Sequence, residues 1–269
     1  MDLRIGCVGY SYDFWVGPFY PKHTPQSEFL KLYGKVFDLV EFDSTFYIIP
    51  KPAATQEWRE SVPPNFRFAA KFPRVITHEL EFGDVSGPTE RFFLAVGGLR
   101  PKVGPLLVQL PPSFTYSRGQ KRLFAFLDAL PRDHRYAVEF RHGSWMHAAV
   151  FQELRKRDIA LVWNEVVYVD TVPEITADFV YLRFVGDRSL DKLGWIQIDR
   201  TTEMRKWAAR LKGAETMWTA RSCSSTTTSR VLGPPRRTCS AKCLGSMVWT
   251  LARSIHQRPD RSSWASFPR

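Results

Sequence analysis

Five short apolar stretches of the sequence end in the same triplet: an apolar residue, a polar residue and then a bulky apolar residue. Such stretches are typical of β-strands, in which successive side chains point to opposite faces of the sheet. If the bulky residues pack outward against helices, the polar residues all point to the other face. These polar residues are Glu41, Lys71, Gln109, Glu139 and Arg183.

Strand-like and helix-like segments alternate along the chain, which indicates a parallel sheet that is either open or closed into a barrel. Apolar runs predict seven strands, at 4–9, 38–43, 67–72, 105–110, 136–140, 160–164 and 179–184. Apolar residues at three- and four-residue spacing predict helices at 25–37, 52–61, 89–98, 118–130, 145–157 and 201–212.

The shared triplet favours a (β/α)8 barrel of the TIM type, because closure brings all the inward polar residues into one ring near the C-terminal mouth. The same two-residue period adds Asp43 after Glu41 and Arg141 after Glu139. The ring then balances three carboxylates against three cations, as buried charges require.

A balanced polar ring at a barrel mouth predicts a site in which cations hold a ligand and carboxylates move protons. Its alternative is a structural network of salt bridges. The sequence predicts Glu41, Glu139 and Lys71 as catalytic residues. The predicted ligand-binding residues are Asp43, Gln109, Arg141, Arg183 and His78, with Tyr12, Trp15, Tyr47 and Trp145 as wall residues or ordinary packing.

The net charge of +11 is concentrated at the C-terminal end of the sequence. From Gly213 onward there are 9 Lys and Arg against 2 Asp and Glu, whereas residues 1–212 carry 29 against 25. The body of the chain therefore gives little independent support for a nucleic-acid partner. The N-terminal residues contain no apolar run typical of a signal peptide or a membrane span, so we expect a cytoplasmic protein with no membrane partner.

Six motifs, in order, resemble the signatures of the YecE-like family, domain of unknown function 72. The resemblance covers about residues 4–212 and implies a TIM-barrel-type fold without a settled activity. This chain departs from the family pattern with Asp43 where Asn is expected and with Val185 where many members carry His. The motifs are "GYSYDFWVGPFYP", "FDLVEFDSTFYIIP", "FRFAAKFPRVITHE", "GPLLVQLPPSF", "AVEFRHGSW" and "VYLRFVG".

The segment 213–269 lacks the eighth strand that the resemblance implies, which reads like "VYVFFNNHFSGFGPATA". If each codon's third base is read with the first two bases of the next codon, residues 221–240 permit "VVFFNNHFxGxGPATADMF". We therefore predict an incomplete barrel domain over 1–212 and an out-of-frame, disordered tail over 213–269. Loss of the eighth strand would leave the first and seventh strands with unpaired edges. A genuine alternative C-terminus is the competing interpretation.

Three functions remain open from the sequence. The first is a hydrolase or isomerase that acts on a phosphate- or sugar-containing small molecule by acid/base chemistry at the mouth. The second is a phosphodiesterase-like barrel that processes nucleic acid, with Mg²⁺ held by Glu41, Asp43 and Glu139. The third is a non-catalytic binding protein, or a frameshift product without function. No motif identifies a cofactor.

Overall fold

The structure is a computed structural model that describes residues 2–165, 169, 171–184, 201–222 and 247–252. For Asp2, Glu165, residues 215–222 and residues 247–252 it describes the backbone alone. Val185 and most of the segment from 223 onward therefore lie outside the described residues. In the described part, no helix is long and apolar enough to cross a membrane.

Eight strands form a closed barrel in sequence order. The first seven pair in parallel with their neighbours, which confirms the α/β, TIM-barrel-like fold. The strands are β1 (Asp2–Val8), β2 (Leu39–Phe42), β3 (Arg67–Lys71), β4 (Val103–Gln109), β5 (Tyr136–Glu139), β6 (Ala160–Glu165), β7 (Phe179–Phe184) and β8 (Met247–Ala252).

Strand β8 differs from the others because it runs antiparallel to both β1 and β7. It comes from the segment that we expected to be disordered, and it pairs with Asp2–Cys7 on one side and Phe179–Phe184 on the other. The unpaired edges predicted for the first and seventh strands are therefore not found. The strand does not follow the parallel pattern of a regular (β/α)8 barrel.

Helices cover the outside of the barrel, and all but the short helix Ser44–Tyr47 lie at positions that the apolar spacing predicts. The segment 25–37 is divided into a 3₁₀ turn (Gln26–Glu28) and a short helix. The last helix continues ten residues past the boundary predicted after residue 212, to Ser222. The helices are α1 (Phe29–Tyr33), α2 (Ser44–Tyr47), α3 (Pro52–Glu60), α4 (Ser86–Gly97), α5 (Tyr116–Ala129), α6 (Ala148–Arg157) and α7 (Thr201–Ser222).

Side chains alternate between the barrel interior and the helical layer, as the strand period requires. One interior layer is small on one side and large on the other: alanines from β3, β5 and β6 leave room for Phe179 and Tyr181 of β7. The alternate residues, such as Val40, Ala70 and Val138, pack outward in the clusters under the helices. The polar residues lie two positions further along the same strands. They therefore point to the same inner face, at the C-terminal ends of the strands.

Candidate functional site

The structure brings together the inward-facing polar residues predicted from the strand-end triplets. Glu41, Lys71, Glu139 and Arg183 are all buried, and contacts across the barrel join residues that lie more than 40 positions apart in the sequence. Gln109 lies at the end of β4 and is half-buried. The five residues therefore belong to one polar layer at the mouth.

The centre of this layer is Arg183, whose guanidinium joins two fully buried carboxylates. Its NH2 donates to Glu41 Oε1 at 2.6 Å, and its NH1 donates to Glu139 Oε2. The hydroxyl of Tyr181 donates to the other oxygen of Glu41 at 2.6 Å. Each partner offsets the cost of removing the other's charge from water, so the group is stable only as a set.

These contacts fix the ionisation of the buried groups. Burial alone would raise the pKa of Glu139, but Arg183 and Arg141 outweigh burial and lower it below its ordinary value. Burial would likewise lower the pKa of Arg183, and the two glutamates raise it instead. Burial, reinforced by Glu41, raises the pKa of Tyr181 well above its ordinary value. At neutral pH Glu139 is thus a carboxylate and Tyr181 a neutral donor.

Arg141 lies above Glu139 and connects the centre of the layer to its rim. Its Nε forms an ion pair with Glu139 Oε1, although the two atoms lack the alignment of a hydrogen bond. Its NH2 donates to Gln109 Oε1 at 3.4 Å, which is a long contact. Arg141 therefore has one close partner, Glu139, and its guanidinium can form a further hydrogen bond.

Lys71 and Asp43 form a second pair, at 3.0 Å between Nζ and Oδ1. The ammonium also lies 3.8 Å from the centre of the Phe46 ring, an arrangement that favours the cation. Thr45 connects the short helix α2 to the end of β3, because its hydroxyl lies 2.7 Å from the carbonyl of Lys71. Burial lowers the pKa of Lys71; Asp43 opposes this effect, and Arg183 adds to it.

His78 lies at the rim, on a π-helical turn (Val75–Glu79) that follows β3. Its Nδ1 is 2.8 Å from Thr77 Oγ1, and its ring meets Phe46 edge to face at 4.9 Å. Burial and, to a smaller extent, the neighbouring cations Lys71, Arg74 and Arg141 together lower the pKa of His78 to about 4. The imidazole is neutral at pH 7, in a positive potential that would favour an anion.

We expect the imidazole of His78 to titrate with a midpoint near 4 rather than near 6.5. Replacing Lys71 by Met removes one of the three cations and should raise that midpoint. Proton NMR of the histidine ring resonances against pH measures both values. A midpoint near 6.5 in the unaltered protein would contradict the positive potential at the rim.

Two residues of the polar layer are not among the predicted site residues. Tyr181 lies two positions before Arg183 on the same face, which the strand period would have indicated. Asn164 ends the predicted sixth strand and is buried. Its Oδ1 accepts from Thr171 Oγ1, whereas its Nδ2 has no hydrogen-bond partner. Asn164 breaks the triplet pattern, because a charged residue, Glu165, follows it.

The aromatic candidates divide into packing residues and one exposed ring. Trp15 and Trp145 are buried in the helical layer, and Trp145 Nε1 donates to Phe114 O at 2.6 Å. Tyr12 donates to Val8 O at 2.5 Å and packs against Trp15. Tyr47 is 65% exposed and lies beside Phe46 at the rim. Of these four aromatic residues, Tyr47 is the one with an exposed ring.

Metal ligands are not grouped in the described part of the chain. No three His, Cys, Asp or Glu side chains there lie together as a metal site would need. The three carboxylates proposed for Mg²⁺ are instead bound by cations: Glu41 and Glu139 by Arg183, and Asp43 by Lys71. The donor set therefore does not fit the Mg²⁺ site of the phosphodiesterase-like alternative.

Two curated proteins are similar to parts of this chain. UPF0759 protein YecE from Escherichia coli K12 is 36% identical over 113 residues, which cover 42% of this chain and 41% of YecE. UPF0759 protein YunF from Bacillus subtilis 168 is 26% identical over 140 residues, which cover 50% of each chain. The chain thus spans half or less of the length of the curated relatives it matches.

Solved structures extend the similarity to most of the barrel. A DUF72 family protein from Thermotoga maritima MSB8 matches with a TM-score of 0.60 and 31% identity, over 72% of this chain and 76% of that one. A DUF72 family protein from Enterococcus faecalis V583 has the same fold, with a TM-score of 0.56 and 24% identity over 70% and 82% of the two chains. The family described as protein of unknown function DUF72 matches residues 4–228, and this chain belongs to it.

Proposed function

We propose that this chain is an enzyme that binds a phosphate- or sugar-containing small molecule at the barrel mouth and moves a proton with Lys71. The reaction class that suits these groups is hydrolysis or isomerisation by general acid/base chemistry. The single observation that carries the proposal is the Lys71–Asp43 pair: a buried ammonium with a lowered pKa, 3.0 Å from a partly exposed carboxylate.

Lys71 suits proton transfer because its surroundings favour the neutral amine more than water does. Asp43 accepts one of its hydrogen bonds and opposes the loss of the proton, so burial and Asp43 act on the pKa of Lys71 in opposite directions. A general acid or base needs this balance between its two protonation states. Asp43 itself, 28% exposed at its side chain, faces the entrance and can contact a ligand hydroxyl.

Glu41 and Glu139, in this proposal, hold Arg183 in place and do not transfer protons themselves. Both oxygens of each carboxylate are contacted, by Arg183 and Tyr181 for Glu41 and by Arg183 and Arg141 for Glu139. The lowered pKa of Glu139 also makes it a poor proton donor at neutral pH. Their function would be to keep the floor of the site rigid and its charge fixed.

The ligand would be held by the side chains at the rim that can still form hydrogen bonds or ring contacts. Arg141 has a long contact to Gln109 that a ligand oxygen can replace, and Gln109 would then orient the ligand. His78 contributes a neutral ring nitrogen in a positive potential. The exposed ring of Tyr47 offers an apolar face to a sugar.

A deuterium-exchange assay tests the proposed chemistry without advance knowledge of the substrate. The protein is incubated in D₂O with a panel of sugars and sugar phosphates, and proton and phosphorus NMR follow exchange, isomerisation or phosphate release. We expect the unaltered protein to convert at least one member of the panel. Lys71→Arg keeps the positive charge but cannot transfer the proton, so turnover should fall by roughly 100-fold or more.

Lys31→Arg is the matched control, because Lys31 is exposed and pairs with Glu28 on the outer surface. It should leave turnover unchanged. Conversion of no panel member, or full turnover by Lys71→Arg, would overturn the proposal. Ligand binding without turnover in the unaltered protein would favour a non-catalytic binding barrel instead.

A further inference from the structure

Arg141 Nε has only its ion pair with Glu139, and two further hydrogen-bond donors in the buried polar layer have no partner at all. They are Arg183 Nε and Asn164 Nδ2, and both atoms are shielded from solvent. Both residues are 4% exposed, so bulk water does not satisfy these donors. Buried donors are nearly always paired in folded proteins, and an unpaired one needs an explanation.

The two donors lie on neighbouring strands at the same level of the barrel. In the pairing of β6 with β7, Asn164 is directly opposite Arg183. Every other polar atom of the Arg183 guanidinium is used, by Glu139 at NH1 and by Glu41 at NH2. The side-chain oxygen of Asn164 is also used, by Thr171. The unpaired groups of these two residues are therefore both N–H donors; Glu139 Oε1, on β5, also lacks a hydrogen bond but is ion-paired with Arg141.

Unpaired N–H groups require an acceptor oxygen, and their distribution indicates its chemistry. Lys71 on β3 and Arg141 after β5 provide cations on other sides of the same mouth. Donors that approach from several strands match a tetrahedral group with three or four oxygens better than a planar carboxylate with two.

We propose that Asn164 and Arg183 form the inner part of a phosphate subsite, in which Asn164 Nδ2 and Arg183 Nε donate to oxygens of a phosphate group on the ligand. The inference rests on the proposed function and deepens it, because it selects phosphorylated compounds from the wider class of sugars and phosphates. Asn164 becomes a ligand-binding residue that determines specificity.

The chain contains two asparagines, Asn65 and Asn164, which makes a matched comparison available. Asn164→Asp keeps the oxygen that accepts from Thr171 and replaces the donor with an oxygen. Asn65→Asp makes the same chemical change at an exposed position before β3, at the opposite end of the barrel. Isothermal titration with inorganic phosphate, and with acetate at equal ionic strength, measures binding by the three proteins.

We expect the unaltered protein and Asn65→Asp to bind phosphate alike, and both to bind phosphate better than acetate. Asn164→Asp should bind phosphate at least about tenfold more weakly, as expected when a hydrogen bond to a charged group is lost. Side-chain amide NMR provides a measurement that needs no stable variant: addition of phosphate to the unaltered protein should shift the NH₂ resonance of Asn164 and not that of Asn65.

The possible failures are distinguishable. If the unaltered protein binds no phosphate, the subsite is overturned, while turnover of an unphosphorylated sugar that depends on Lys71 would still support the proposed function. If phosphate binds and the Asn164 resonance does not move, Asn164 has no part in the subsite and the inference is wrong. Equal affinity for acetate and phosphate would overturn the assignment to a tetrahedral anion.

Discussion

Replacing Arg183 by methionine is expected to reduce the free energy of unfolding by about 3–5 kcal/mol, the loss typical when one partner of a buried ion pair is removed. The variant leaves Glu41 and Glu139 buried without the cation that they share. Methionine fills a similar volume, so the loss reports charge rather than a cavity. Urea denaturation followed by tryptophan fluorescence measures it, since the chain has 9 tryptophans.

Arg74→Met is the control, because Arg74 pairs with Glu79 at 3.5 Å on the surface, with both side chains more than half exposed. Its effect should lie within about 1 kcal/mol, as for exposed ion pairs in general. Combining Arg183→Met with Glu41→Gln and Glu139→Gln should recover part of the loss, since no buried charge then remains unpaired. A loss of under about 1 kcal/mol for Arg183→Met alone would contradict the buried network.

The stability lost in Arg183→Met should also depend on pH in a defined direction. In the unaltered protein the folded pKa of Glu139 is lowered, so its contribution to stability is present above the unfolded pKa, near 4.3, and is lost as pH falls through the folded value. Without Arg183, burial favours the protonated form of Glu139. The stability difference between the two proteins should therefore be largest at neutral pH and shrink in acid.

The strand period predicted that the middle residues of the triplets share one polar layer. Glu41, Glu139 and Arg183 each occupy the middle of an apolar triplet, and a closed barrel leaves them only one face. Their pairing could not be predicted, because it depends on distances across the barrel that no local pattern records. Because Arg183 pairs with both glutamates, groups of the layer other than these two carboxylates are the ones that can bind a ligand.

Residues outside the triplet pattern were harder to identify. Asn164 lies on the inner face, and its importance comes from an unpaired Nδ2 that only the assembled layer reveals. The π-helical turn that carries His78 has no signature in the sequence comparable to an amphipathic repeat. The low pKa of His78 depends on burial and on three cations from different segments, which come together only in the fold.

Strand β8 was missed because the expected eighth strand was sought as a parallel strand near residues 221–229. The segment Met247–Ala252, "MVWTLA", is a short run rich in residues that favour strands. An antiparallel strand needs no crossover helix before it, unlike a parallel one. The segment therefore pairs with both β1 and β7 in the direction opposite to theirs.

We propose that the reading frame of the gene changes near residues 213–219, and we expect the neighbouring frame of codons 221–240 to encode a string close to "VVFFNNHFxGxGPATADMF". Sequencing of the gene tests this directly. The physical reason to expect it is the contrast between seven parallel strands and an antiparallel eighth. A frame-restored strand would be parallel to both neighbours and would place Asn and His side chains at the mouth, beside the polar layer.

A protein expressed from the restored frame should melt at a temperature higher by about 10 °C or more, as expected if several kcal/mol of strand pairing and helix packing are gained in a chain of this size. Thermal melts of the two proteins, each with Arg74→Met as a surface control, measure the difference. Two results together would contradict the proposal: a neighbouring frame without an FFNNH-like string, and a cooperative melt of the present chain at the same temperature as the frame-restored protein. Residues 213–269 would then be a genuine alternative C-terminal segment, and Met247–Ala252 would be its native barrel-closing strand.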